Sequence, residues 1–351
     1  MFKRSLLALC LIPVLLLSGC SAMLQRSYVS VEDHNENPVS DGGSALRVET
    51  YQELVSAVLY YVNAGESAGV IRFYNYSRDV ESDLENACLE VVQEDPLGAY
   101  AVDYIKYDVK SIVAYDEATV HITYRRTREQ IAGVVSVTGV SAIRSELSEA
   151  MEQFSPELVL RIGSFDESSV DIQQLAREAY YATPAAAFGM PKVTFAYYPE
   201  KSTSRQRVVE VLLTYSGDTQ QMKEKQDELR RRLVTMDTML QDLSGQEAAR
   251  TAFAMVRENA VLQSDGVGTA YAALVKGSAS SEGMALAFEL LCNMCGVSCT
   301  VVEGTRRGST YFWNTVDWGD GAVTVDVTAS DGFGLTEEQL QQREYVPASA
   351  S

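Results

Sequence analysis

Part of this chain is written twice, and that limits its architecture more than any other feature. The segment Asp83-Leu-Glu-Asn-Ala-Cys-Leu-Glu-Val-Val-Gln-Glu-Asp-Pro96 matches Asp171-Ile-Gln-Gln-Leu-Ala-Arg-Glu-Ala-Tyr-Tyr-Ala-Thr-Pro184. The register continues, with Ala99-Tyr100 on Ala187-Phe188 and with Ile105 and Tyr107 on Val193 and Phe195. Upstream, Ile71-Arg72-Phe73 meets Leu160-Arg161-Ile162; downstream, Val120, Ile122 and Tyr124 meet Val211, Leu213 and Tyr215. Self-similarity on this scale means one supersecondary unit made twice.

Each copy reads as helix, strand, helix, strand, strand. Residues 51–62 place Leu54, Val55, Val58, Leu59 and Val62 at helical spacing, and residues 70–76 alternate as a strand. A second helix over 81–93 stops before Pro96. Residues 100–107 and 119–124 form a hairpin with Val120, Ile122 and Tyr124 on its apolar face. The second copy repeats the pattern over 142–151, 158–162, 171–181, 192–198 and 208–215. The expected fold class is α+β: two repeated small α/β-layer modules, 46–130 and 131–217, ahead of a third domain.

The N-terminus carries a different message. Lys3 and Arg4 precede an apolar run from Leu6 to Leu17, too short to span a bilayer and followed by small residues, as in a signal peptide over 1–19. Leu17-Ser18-Gly19-Cys20 resembles a bacterial lipobox. The resemblance implies cleavage before Cys20 and lipid on that residue, hence an exported protein held to the cell membrane or envelope through Cys20. Residues 20–45 read as a flexible tether. The formal net charge is −19; losing Lys3 and Arg4 makes it more negative. That balance excludes a nucleic-acid partner, which requires a basic footprint. An apolar fraction of 46% excludes a disordered chain.

The third domain spans 218–340, with a disordered tail expected over 341–351. Helices are expected over 220–240 and 246–258, the second with Ser244 and Glu247 at capping-box spacing. A central helix over 282–294, capped by Ser280 or Ser281, leads to strands over 299–303, 310–316 and 322–328. Cys292, Cys295 and Cys299 have no histidine nearby and read as small core residues, so no metal and no cofactor is expected. Which of Cys88, Cys292, Cys295 and Cys299 would pair is not readable from their order.

The tract Ser281-Glu282-Gly283-Met284-Ala285, then Tyr311-Phe312-Trp313-Asn314, then Val325-Asp326-Val327-Thr328 resembles the core of the bacterial transglutaminase-like family. Its members share a papain-like Cys-His-Asp site on an α+β domain. The resemblance implies that Ser281 stands at the cysteine position, Tyr311 at the histidine position and Asp326 at the aspartate position. Trp313, Asn314 and Glu282 then belong to the cleft. A serine hydroxyl needs a neighbouring base to attack an amide, and a tyrosine is protonated at neutral pH. The chain is therefore expected to be a catalytically dead member that binds a peptide, a cell-wall component or a protein partner, or serves as a scaffold. The alternative is an active acyl-transfer enzyme or amide hydrolase using Ser281. Asp326 is expected to accept a hydrogen bond from Tyr311 or Trp313 within a structural network.

Overall fold

The computed structural model describes residues 38–40, 45–166, 168–201, 205–319 and 321–348. The signal sequence, Cys20, most of the tether and residues 349–351 lie outside them. No helix among the described residues is long and apolar enough to cross a membrane.

The fold is α+β. The first module contains β1 (Val39–Ser40), β2 (Ala45–Val48), α1 (Tyr51–Ala64), β3 (Ala68–Phe73), α2 (Val80–Gln93), α3 (Pro96–Ala101), β4 (Val102–Ile112) and β5 (Tyr115–Tyr124). Thr50 and Glu53 close a capping box on α1, and Gly65, at φ +63°, ends it in the left-handed region that favours glycine. The sheet order is β1-β2-β3-β5-β4. A short helix α4 (Arg128–Ala132) leads to the second module: β6 (Val135–Val137), α5 (Gly139–Glu152), β7 (Glu157–Ile162), α6 (Ile172–Tyr181), β8 (Lys192–Tyr198) and β9 (Arg207–Thr214). Its sheet order is β6-β7-β9-β8, the order of β2-β3-β5-β4.

Register agrees down to residue pairs. Ile105 faces Ile122 and Tyr107 faces Val120 in the first sheet; Val193 faces Leu213 and Phe195 faces Val211 in the second. Strands β2 and β6 each pair in parallel with the strand that follows, Val48 beside Phe73 and Val137 beside Ile162. Those two strands are too short to show an alternating pattern, which is why the helix seemed to begin each copy. The strand expected from residue 100 instead begins at Val102. Pro96 sits at the first turn of α3, with the Asp95 side chain accepting from Gly98 N. Proline thus stops one helix and starts another.

The C-terminal domain contains α7 (Thr219–Asp237), α8 (Gly245–Asn259), β10 (Val261–Leu262), a π-helical turn (Ala272–Lys276), β11 (Ser278–Ala279) and α9 (Ser281–Met294). It continues with β12 (Ser298–Arg306), β13 (Ser309–Asp317), β14 (Ala322–Val325), β15 (Phe333–Leu335), α10 (Glu337–Gln342) and β16 (Tyr345–Pro347). Its main sheet runs β15-β14-β13-β12-β16. Ser244 occupies the N-cap of α8 without a side-chain bond. The tail expected to be disordered over 341–351 is corrected in part: β16 pairs with β12 along Gly304–Arg306, and Tyr345 is buried. Gly304 permits this, since a Cβ there would lie 2.3 Å from Val346 O and 2.5 Å from the Trp313 ring.

One continuous core joins the second module to the C-terminal domain, from Val137 through Leu160 and Leu229 to Phe288 and Val325. The first module has its own core, which reaches across to Val159, Val208 and Tyr198.

Candidate functional site

Helix α9 starts at the site. Ser280, not Ser281, caps it, accepting from Gly283 N at 3.4 Å. A Cβ on Gly283 would lie 2.8 Å from Thr269 N and O and from Val267 O, so only glycine lets the helix start lie against that loop. Ser281 is buried, and its Oγ accepts from Phe312 N at 3.3 Å. Glu282 accepts from Tyr181 Oη of α6 at 3.5 Å. Burial, and then the charge of Glu303, push its carboxyl up to about 7.

Strand β13 separates the expected triad. Side chains alternate across a strand. Asn314 Nδ2 donates to Ala285 O of α9 at 3.1 Å, and the Phe312 ring lies 6.1 Å from the Tyr181 ring. Residues 312 and 314 therefore face α9. Tyr311 and Trp313 face the other way, into a cluster with Leu335 and Tyr345. Ser281 lies on one side of the sheet, Tyr311 and Asp326 on the other. Among the described residues no hydrogen bond joins Ser281 to either.

On that far face Asp326 is fully buried. Its Oδ1 accepts from Thr328 N at 2.9 Å and from Thr328 Oγ1 at 2.7 Å. Its Oδ2 accepts from Arg306 Nη1 at 3.3 Å, from Tyr311 Oη at 3.5 Å and from Tyr345 Oη at shorter range. The turn to Thr328 also ends β14 at Val325, short of the strand expected through residue 328. Tyr311 Oη further accepts from Arg306 Nη1 at 3.0 Å and contacts Thr328 Oγ1. The Arg306 guanidinium lies 5.1 Å from the centre of the Tyr311 ring and 5.0 Å from that of Tyr345. Burial, then the Asp326 charge, raise the Tyr311 hydroxyl above its ordinary range, so it stays protonated. Trp313 packs edge-on against Tyr345, centroids 5.2 Å apart. Asp326, Arg306, Tyr311, Thr328 and Tyr345 thus form one hydrogen-bonded network.

Sequence reasoning missed two of its members, Arg306, which lies outside the motif, and Tyr345, which fell in the expected tail, and it gave no role to Thr328 at the end of the Val325–Thr328 tract. It also missed Glu289, the second of the two acids of α9, set within its apolar run. Glu289 is 3% exposed, and its Oε2 has no hydrogen-bond partner. Burial raises its carboxyl to about 8. An acid in an otherwise apolar helical stretch was the signal available. Nearby, Cys292 and Cys299 are buried in the same core, and Cys295 Sγ donates to Leu291 O at 3.4 Å.

Neither protein-family models nor curated proteins give a match to this sequence. Among solved structures, a TGase aligns at 11% identity over 62% of this chain and 63% of its own length, TM-score 0.29. A candidate protease from Parabacteroides distasonis aligns at 10% identity over 75% of this chain and 43% of its own, TM-score 0.20. The chain spans less than two thirds of either. With TM-scores this low, the fold rests on the topology described above.

Proposed function

We propose that this chain is an exported, lipid-anchored, non-catalytic protein whose C-terminal domain is a degenerate relative of the transglutaminase-like fold, and that it binds a peptide, cell-wall or protein partner without turning it over. The observation that carries the reading is the division of the expected triad between two faces of one sheet. Ser281 has a backbone N–H for its partner and, among the described residues, no base hydrogen-bonded to it. Nucleophile and base must touch for acyl transfer. Lipid on Cys20 would hold the folded part at the membrane surface on a tether.

Two measurements test it. A fluorophosphonate should leave Ser281 unlabelled, and the purified protein should hydrolyse no amide. Labelling or turnover that disappears in Ser281→Ala would overturn catalytic silence. In cells, Cys20→Ser should move the protein from the membrane fraction to the soluble one; an unchanged membrane fraction would sink the anchor.

A further inference from the structure

Between α6 and the edge of β12 runs a groove of about 960 Å³, with Glu289 among its lining residues. Its rim charges cancel. Arg144 pairs with Glu178 at 3.3 Å, Arg177 pairs with Glu303 at 2.7 Å, and the other two lining charges, Lys192 and Asp171, are of opposite sign. Glu289 is left over, almost wholly buried with Oε2 lacking a donor. Asn314 Oδ1, in the layer beneath α9, is a second buried acceptor without a donor. Native interiors rarely leave such groups unmet.

The wall of the groove adds a second feature. Thr300, Val301, Val302 and Glu303 line it consecutively. On that edge β16 pairs with β12 only along Gly304–Arg306, and Ala348 N adds one bond to Glu303 O at 2.9 Å. Alternation of backbone groups along the ladder turns the N–H and C=O of Val301 and Cys299 to the same edge as Glu303 O. Among the described residues no strand pairs with them. An edge unpaired among the described residues can accept an extended segment by main-chain hydrogen bonds, while side-chain pockets set the choice.

We infer that this groove binds an extended peptide that adds as a strand to the open edge of β12 and lowers a primary amine onto Glu289. The inference rests on the binding reading above and names the class of partner. An ammonium is the fitting group because it brings three donors and a positive charge to Glu289, whose Oε2 has no donor, and ionises the carboxyl on binding. The site is distinct from the surroundings of Tyr311 and Asp326, which lie across the sheet.

The test titrates the purified full chain with acetyl-Val-Thr-Lys-Thr-Val-amide and with the same peptide carrying Nε-acetyl-lysine. The free amine should bind at least about tenfold more tightly, the scale of one charge-assisted hydrogen bond. Backbone amide resonances of Val301 and Cys299 should shift. Glu289→Gln should bind the two peptides alike, and Val301→Pro, which removes an edge donor, should weaken both. Equal binding of both peptides to the wild-type chain, binding of neither, or a preference retained in Glu289→Gln would overturn the proposal. Such results would mean that Glu289 is a neutral acid satisfied internally, and would leave catalytic silence standing. Labelling of Ser281 would overturn that silence and leave the groove result standing.

Discussion

Two carboxylates in the C-terminal domain are almost equally buried and oppositely provided for. Asp326, on the far face of the sheet, receives donors from Thr328, Arg306, Tyr311 and Tyr345. Glu289, on the α9 face, has an Oε2 with no donor. A saturated buried carboxylate organises structure; an unsaturated one at a groove floor marks a need that something outside the fold supplies. On this comparison the face bearing Tyr311 and Asp326 has its buried charge met from within the fold, whereas the face bearing Ser281 and Asn314 holds the unmet acceptor.

The largest way to break the comparison is Asp326→Ala. It strands a guanidinium whose side chain is only 23% exposed, together with three hydroxyls. A loss of about 3–5 kcal/mol on unfolding in urea is expected. A loss below about 1 kcal/mol would mean the network is not structural.

The pH profile tests the other carboxylate. Glu289 and Glu282 both have folded values raised above the ordinary 4.5, to about 8 and about 7. The folded state therefore binds more protons than the unfolded chain within that window. The resulting penalty is absent below the ordinary value, grows as pH rises, and is complete above about 8. Glu289→Gln should remove up to about 1.4 kcal/mol per pH unit from the decline. A variant profile parallel to wild type would contradict the assignment.

Tyr345→Phe deletes one donor to Asp326 while keeping the ring against Trp313. About 1–3 kcal/mol should be lost, and a thermal midpoint equal to wild type would show that β16 adds nothing to the network. The smallest effect belongs to Ser281→Ala. Its single bond to Phe312 N predicts a loss of about 1 kcal/mol or less. A much larger loss would give Ser281 a role that its one contact does not explain.

Much of the fold was legible. The repeated segments matched Ile105 to Val193 and Ile122 to Leu213, and the structure pairs Ile105 with Ile122 and Val193 with Leu213 in the same way, because alternation fixes which residues can face each other. The match was less faithful at the helix ends. Asp171 caps α6, whereas its counterpart Asp83 lies inside α2, buried and paired with Arg78 at 2.7 Å. Asp79 supplies the cap there. One sequence position thus serves two purposes, decided by whether the helix starts one turn earlier.

The amino-acid sequence by itself determined the element types, the doubled α+β layout and the absence of imidazole from the C-terminal domain, since composition and local periodicity act over a few residues. Tertiary structure alone decided that Ser281 and Tyr311 lie on opposite sides of β13, that Tyr345 returns to Asp326, and that Glu289 is buried without a donor. Each of those facts depends on which strand edge meets which helix. Such contacts join residues far apart in the chain, and no local pattern records them.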